Sequence, residues 1–137
     1  MDYKVIKIEK HSDKRGELIV FLRNRELSAD KKAFGQIYFI TFSGKGIVRG
    51  NHYHKKWREW FGIVTGKVAV ELEDVITKER ACLELDSRHS DYTRLEIGPN
   101  IAHAFKSISS SVSLLNYADK EWSARDNHSY ILINDEK

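Results

Sequence analysis

The sequence predicts an all-β domain, built as an antiparallel sandwich or barrel, on three observations. Short apolar runs recur at close spacing, turn residues separate most of them, and little of the chain has the helical period. At 137 residues the chain has the size of one domain and can bury a core without disulfides or a structural metal. We therefore expect a single domain over residues 1–137.

The expected strands follow one another with short connections. In order they are 3–8, 17–22, 36–42, 47–54, 59–65, 68–73, 79–85, 92–97, 103–107, 112–117 and 129–133. Residues 11–16 are expected to form a polar loop, and residues 24–32 a helical turn or a loop. The run 36–42 is almost continuously apolar and aromatic, which is typical of a strand covered on both faces or lying in a subunit contact.

Two connections have distinctive turn residues. Gly66 lies between two strong strands and is expected in a tight hairpin, where glycine supplies the positive φ that such turns require. The only proline, Pro99, lies between Gly98 and Asn100 in a turn, where its missing N–H does no harm.

Composition limits the partners. The chain has 23 basic and 20 acidic side chains, which are interleaved and leave a net charge of only +3, so we expect no nucleic-acid partner. The charged N-terminus has no apolar signal region and no window approaches the ~18 apolar residues of a membrane-spanning helix, so a cytoplasmic protein without a membrane partner is expected. The single cysteine, Cys82, is expected in a buried strand and in a reducing compartment.

Four side chains suggest a functional pocket. His52 and His54 are one residue apart, so on a strand both imidazoles lie on the same face. Glu59 begins the next expected strand and His103 begins a later one. Three imidazoles and one carboxylate suit a divalent ion such as Mn, Fe, Ni or Zn. Any one of these residues alone is more often an ordinary polar strand residue or a core histidine.

The spacing of these residues resembles the two motifs of the cupin superfamily. Gly46, five residues, His52-Tyr53-His54, four residues, Glu59, six residues and Gly66 reproduce the first motif. The second motif, Pro-x-Gly-x-x-His, is matched more loosely by the segment 98–103, in which Asn100 replaces the glycine. This resemblance implies a jelly-roll barrel, the double-stranded β-helix, with His52, His54, Glu59 and His103 as metal ligands.

A narrower resemblance is to the small cupins that rework nucleotide-linked 4-keto-6-deoxy sugars in bacterial surface polysaccharide and lipopolysaccharide pathways. Segments 13–18 and 49–54 are similar to motifs of their 3,5-epimerases and 3,4-ketoisomerases. The sequence Arg49-Gly50-Asn51-His52-Tyr53-His54 favours the ketoisomerases, because the epimerases typically have Gln in place of the second histidine. The same stretch with Glu59 also resembles the zinc-associated cupin domain of capsular polysaccharide reductases.

The resemblance implies roles for individual residues. His52 is expected to be the base that removes a proton beside the sugar ketone, and His54 its partner. The catalytic tyrosine of the epimerases is missing near residues 119–122, so another acid is required. The candidates by strand position are Tyr117, Tyr130 and Tyr38, and for each of them core or interface packing is the alternative.

Cationic side chains are expected to bind the substrate. Arg15 and Arg49 lie within the matching motifs and are expected to meet the enolate charge or the diphosphate. Lys55 and Lys56 lie beside the expected mouth and are assigned to the diphosphate, with a solvated basic turn as the equal alternative. Tyr38 is also assigned to substrate binding. The related sugar cupins are commonly dimers, so the resemblance implies a homodimer.

Two questions stay open at this point. A histidine that gives its lone pair to a metal cannot use the same nitrogen as a base, so His52 cannot easily hold both roles; one divalent ion or no cofactor is expected. The alternatives to an isomerase are a metal-dependent cupin of another kind, such as a dioxygenase or a sugar-phosphate isomerase, and a non-catalytic sugar-binding or accessory cupin.

Overall fold

Two five-stranded antiparallel sheets enclose an apolar core, as a computed structural model of residues 1–28 and 33–134 shows. The strands are β1 (Tyr3–Ile8), β2 (Lys10–Asp13), β3 (Gly16–Ile19), β4 (Gln36–Phe42), β5 (Val48–Tyr53), β6 (Glu59–Thr65), β7 (Lys67–Asp74), β8 (Arg80–Asp86), β9 (Tyr92–Ile97), β10 (Ile101–Ser107), β11 (Val112–Ala118) and β12 (His128–Ser129). Short 3-10 helices span Asn24–Glu26 and Ala124–Asp126. The all-β jelly-roll prediction is confirmed.

From β4 onward, most strands that follow one another along the chain lie in different sheets. The first sheet has the order β1-β9-β6-β11-β4, the second sheet has β12-β5-β10-β7-β8, and β2 and β3 form a separate hairpin. Strand β7 shows why the sequence packs this way: Val68, Val70 and Leu72 are buried, whereas the residues between them are only partly buried. Each such side chain gains roughly 1.5–3 kcal/mol by leaving water.

Most predicted strands are confirmed, and β1, β4, β6 and β9 have the predicted bounds. The expected polar loop at residues 11–16 is instead largely the β2–β3 hairpin, and the strand expected at 17–22 ends at Ile19. The expected strand at 129–133 is reduced to β12. The predicted turn or loop at 24–32 begins with a 3-10 helix, and its residues 29–32 lie outside the described part of the chain.

Two further expectations are corrected. Gly66 has φ 85° as predicted, but it does not close a hairpin: β6 lies in the first sheet and β7 in the second, so the chain crosses between sheets there. Cys82 is exposed, because alternation along β8 places Leu83 and Leu85 toward the core and Cys82 on the outer face. Asn100 has φ 65° and takes the left-handed conformation predicted for it.

A bulge in β5 determines where its side chains point. His103 of β10 pairs with His52, and the next residue, Ala104, pairs with Gly50, so Asn51 is an extra residue in β5. Gly50 and Asn51 both have positive φ, at 94° and 58°. Without the bulge, Arg49 and His52 would lie on opposite faces of the strand; the extra residue brings both to the same cavity.

No helix among residues 1–28 and 33–134 is long and apolar enough to cross a membrane.

Replacing Gly50 with alanine should destabilise the fold. A Cβ there would lie 2.8 Å from the His103 carbonyl oxygen, and residues other than glycine rarely adopt a φ of 94°. We expect the free energy of unfolding to fall by about 1–3 kcal/mol in urea denaturation. Gly44→Ala is the matched control, because nothing lies within 4 Å of its added Cβ. Equal stability of the two variants would contradict the bulge geometry.

Candidate active site

The four predicted ligand residues converge at one end of the cavity between the sheets. The available ligand atoms of His52, His54 and His103 all lie within 4.8 Å of one another. Glu59 Oε1 lies 3.4 Å from His54 Nε2 and 3.6 Å from His103 Nε2. The histidines come from the second sheet and the glutamate from the first, so the cluster lies where the two sheets face each other.

Backbone oxygens fix the orientation of two imidazoles. His54 Nδ1 lies 2.6 Å from the carbonyl oxygen of Asp126, and His103 Nδ1 lies 3.1 Å from that of Ile101. A carbonyl oxygen only accepts hydrogen bonds, so each Nδ1 carries the hydrogen. In the neutral rings each Nε2 therefore presents a lone pair, and both lone pairs are directed toward Glu59.

Burial favours the neutral form of every member of the cluster. Desolvation raises the pKa of the Glu59 carboxyl to about 8. Desolvation and the neighbouring His54 lower the pKa of His52 to about 4, and desolvation also lowers the pKa values of His54 and His103. At neutral pH the cluster therefore has a protonated carboxyl group among unprotonated imidazoles.

The same arrangement fits a divalent ion. The Nε2 lone pairs of His54 and His103 repel the carboxylate form of Glu59. Either a proton on Glu59 or a metal ion between these groups removes the repulsion. Nitrogen donors held by hydrogen bonds through their other ring nitrogen are typical of metal-binding histidines. His52, His54 and His103, with Glu59 beside the last two, therefore fit the metal that the cupin fold implies.

The cluster forms the polar part of a cavity of about 200 Å³. Aromatic and aliphatic side chains make most of the wall, and Arg49 and Trp122 line it with largely exposed side chains. The wall residues besides the cluster are Tyr38, Ile40, Phe42, Gly50, Trp57, Phe61, Phe105, Leu114 and Asn116. An apolar cavity with a few convergent polar groups is the usual form of a small-molecule site.

Of the three candidate tyrosines, Tyr38 alone lines the cavity. Burial together with the ionised form of Glu59 raises the pKa of Tyr38. Tyr117 does not line it: alternation along β11 places Asn116 toward the cavity and Tyr117 on the other face, where its hydroxyl accepts a hydrogen bond from the Gly35 N–H. Tyr130 also lies away from it, hydrogen-bonded to Glu73. The expected acid role of Tyr117 and Tyr130 therefore has no geometric support within this chain.

Of the four predicted cationic residues, one lines the cavity and three lie outside it. Arg49 lines the cavity. Arg15 lies at the β2–β3 hairpin, paired with Asp13 at 2.6 Å and almost fully exposed, and it does not line the cavity. Lys55 and Lys56 are exposed in the turn after β5, and neither lines the cavity.

Three residues at the cluster were not predicted from the sequence. The Trp57 indole stacks on His54 with ring centroids 4.1 Å apart. Asn116 hydrogen-bonds Glu59 and lowers its pKa against the larger effect of burial. Asp126 holds His54 from a distant part of the chain. Trp57 lies inside the first motif and was open to inference; the other two have no local sequence signal.

Glu59→Gln should remove a pH-dependent cost of folding. The usual pKa of 4.5 means that the unfolded chain loses the Glu59 proton there, whereas the folded chain keeps it to about pH 8. Between these values the stability of the wild type should fall relative to the variant by about 1.4 kcal/mol per pH unit. Urea unfolding with a metal chelator, at about pH 5 and about pH 7, measures the difference.

Exposed Glu84 of β8 supplies the control. Glu84→Gln should leave a nearly constant difference from the wild type across the same pH range. A constant difference for Glu59→Gln as well would show that Glu59 is ionised in the folded protein.

Comparison with known proteins finds solved structures with the same fold. The chain is similar to a variant of the 3,4-ketoisomerase QdtA from Thermoanaerobacterium thermosaccharolyticum in complex with TDP-4-keto-6-deoxyglucose, with 25% identity, a TM-score of 0.76, and coverage of 92% of this chain and 86% of that one. A double mutant of QdtA in complex with TDP is 27% identical, with the same TM-score and coverage.

The likeness extends to an epimerase in fold alone. The rmlC epimerase of Mycobacterium tuberculosis is 18% identical, with a TM-score of 0.79 over 93% of this chain and 68% of that one. No curated protein matches the sequence. The model of the FdtA family, described as WxcM-like, C-terminal, matches residues 1–134. The chain therefore belongs to this FdtA family, with the small sugar-nucleotide cupins as its structural neighbours.

Proposed function

We propose that this protein is an isomerase that moves the ketone of a nucleotide-linked 4-keto-6-deoxy sugar between C4 and C3. The observation that carries the proposal is the histidine cluster, in which the neutral His52 ring lies beside two oriented imidazoles that contact the carboxyl group of Glu59. Family membership and the likeness to QdtA, a 3,4-ketoisomerase, support the same chemistry.

The reaction needs one proton to change carbons. A ketone at C4 acidifies the hydrogen on C3, so a base near C3 can remove it while the C4 oxygen takes a proton, giving an enediol. Removal of the C3 hydroxyl proton and return of a proton to C4 then produce the 3-keto sugar. Neutral His52 is the base in this scheme, and His54 is the adjacent group that exchanges protons with Glu59.

The ketoisomerase assignment is favoured over a 3,5-epimerase by the cavity wall. Epimerisation requires an acid on the opposite face of the sugar from the base. Tyr117 and Tyr130 do not line the cavity, which leaves Tyr38 as the tyrosine able to serve. Ketoisomerisation needs a proton delivered to C4, and the second histidine, His54, lies next to His52 with ring centroids 4.9 Å apart.

Cavity size divides the substrate into two parts. About 200 Å³ is below the ~300–1,000 Å³ that encloses a drug-sized ligand, so the sugar enters and the nucleotide stays at the mouth. Arg49 is an exposed residue that lines the cavity, which suits a charge-assisted contact to the diphosphate. Trp122 also lines the cavity, is 50% exposed, and offers an apolar face to a ligand.

A metal-dependent cupin is the second candidate, favoured by the three converging imidazoles. In that case His54, His103 and Glu59 would hold the ion and leave His52 free. A bound divalent ion would polarise the ketone oxygen and stabilise the enolate. His52 is half-buried, whereas His54 and His103 are buried, so His52 is the histidine best placed to act on a substrate while the others hold the ion or the proton.

Solvent deuterium exchange tests the isomerase proposal. The wild type should incorporate deuterium from heavy water into dTDP-4-keto-6-deoxyglucose and form a C3 ketone. NMR measures both the deuterium content of the sugar and the position of the ketone. His52→Asn should slow the exchange by about 100-fold or more, because the base is lost while a polar group of similar size remains. Bound metal is quantified in the same samples.

His11→Asn is the control, since His11 lies exposed on the β2–β3 hairpin. Absence of exchange in the wild type with stoichiometric metal present would refute the isomerase for this substrate and favour the second candidate. Full activity of His52→Asn would remove His52 as the base.

A homodimer is proposed from the outer face of β4. Alternation along this strand turns Tyr38 and Phe42 to the cavity and leaves Ile37 and Phe39 59% and 69% exposed on an edge strand. Exposed apolar residues on a sheet edge are typical of a subunit contact.

Phe39→Ser should therefore shift the mass measured by light scattering from dimer to monomer. Ile76→Ser is the control, since Ile76 is 71% exposed in the turn between β7 and β8. A monomeric wild type, or a Phe39→Ser variant that stays dimeric at low protein concentration, would contradict this interface.

A further inference from the structure

The segment after β11 packs against the turn that carries His54. Its 3-10 helix, Ala124–Asp126, is capped by Ser123, whose hydroxyl oxygen accepts a hydrogen bond from the Arg125 N–H. The following strand, β12, pairs with β5. Asp126 at the end of the helix is only 8% exposed. A buried carboxylate requires hydrogen bonds, and its partners explain its position.

Asp126 binds three consecutive residues of the turn after β5. Its carbonyl oxygen accepts the hydrogen bond from His54 Nδ1 at 2.6 Å. Its carboxylate accepts the backbone N–H of Lys55 at 2.8 Å and that of Lys56 at 3.0 Å. His128 Nε2 lies 3.2 Å from the same carboxylate. The carboxylate therefore anchors the main chain whose carbonyl oxygen meets the imidazole.

The hydrogen bond from His54 Nδ1 to the Asp126 carbonyl oxygen fixes which way round the imidazole lies, which its stacking on Trp57 does not fix. Trp57 lies nearly parallel to the His54 ring, at 16°, and so restricts the plane of the ring. A half-turn about the Cβ–Cγ bond keeps the ring in that plane but exchanges nitrogen and carbon positions. The Asp126 carbonyl oxygen distinguishes the two orientations, because only one of them places an N–H against it.

We infer that Asp126 is a positioning residue, whose carboxylate holds its own carbonyl oxygen against His54 and so keeps Nε2 of that ring as the acceptor nitrogen facing the cavity. This inference rests on the proposed function for its effect on the reaction, but its effect on the ring does not depend on any substrate. Asp126 touches no reacting atom; it acts through His54.

Asn51 secures the segment on the other side of Asp126. The Tyr130 N–H donates to the Asn51 carbonyl oxygen, and the Asn51 side chain accepts from the N–H groups of Leu132 and Ile133. The bulge residue of β5 thus holds residues 130–133 beside the strand that ends at His54. Because the segment is held on both sides, loss of the Asp126 carboxylate should loosen the His54 contact without releasing the whole segment.

The test compares Asp126→Ala and Asp126→Asn with Ser123→Ala. Ser123→Ala removes a hydrogen bond of the same helix that does not reach His54, so it reports a purely structural loss. Proteins with 15N-labelled histidine are examined in chelator by long-range 15N–1H correlation, which distinguishes an Nδ1–H ring from an Nε2–H ring. The turnover number and KM are measured with the dTDP-linked keto sugar.

The wild type and Ser123→Ala should show His54 as the Nδ1–H form alone. Asp126→Ala should show a mixture of both forms, with turnover reduced by about 10- to 100-fold and KM changed by less than about threefold. Asp126→Asn retains one acceptor oxygen for two N–H groups, so it should lie between the alanine variant and the wild type, and it serves if the alanine variant does not fold.

Both Asp126 variants matching Ser123→Ala in spectrum and turnover would overturn the inference. A mixed spectrum for the Asp126 variants of a protein that is inactive as wild type would instead support the positioning role and refute the proposed isomerase. The two failures are therefore distinguishable.

Discussion

The contact of buried Glu59 with two imidazole nitrogens is the constraint on which the site depends. His54 and His103 each give their Nδ1 hydrogen to a backbone oxygen, which leaves two lone pairs directed at one carboxyl group. Such a set is stable only with a positive charge at its centre, so the fold has built a place for a proton or a metal ion. The strands and the C-terminal segment supply the oxygens that impose this arrangement.

The conflict between metal ligand and free base is eased by the unequal burial of the histidines. His54 and His103 are oriented by backbone acceptors, whereas His52 is half-buried, and no hydrogen bond to its ring comes from the residues that the structure describes. The cluster therefore divides into a buried group of two imidazoles and one carboxyl group, and a third imidazole, that of His52, which is more accessible to solvent. Enzymes commonly separate acid and base in this way, by giving like groups unlike environments.

The strands and the residues of the cluster were predictable because their signals are local. A nearly continuous apolar and aromatic run predicted β4, and the spacing of His52, His54 and Glu59 placed them on adjoining strand ends. Which sheet each strand joins depends on pairing between distant segments, so the crossover at Gly66 was missed. Asp126 was missed for the same reason: it lies 72 residues from His54 in sequence. Which face of the sheet Tyr117 and Cys82 occupy depends on strand register, because a shift of one residue moves every side chain of a strand to the opposite face.

The cluster also joins the two halves of the barrel. Its histidines come from the second sheet and the turn after β5, and Glu59 comes from the first sheet, so a ligand held by all of them would link the two sheets. By mass action, whatever binds there resists the separation of the sheets and adds to the work of unfolding in proportion to the logarithm of its concentration. The rise in melting temperature when a candidate ligand is added therefore reports how tightly that ligand binds to the folded protein.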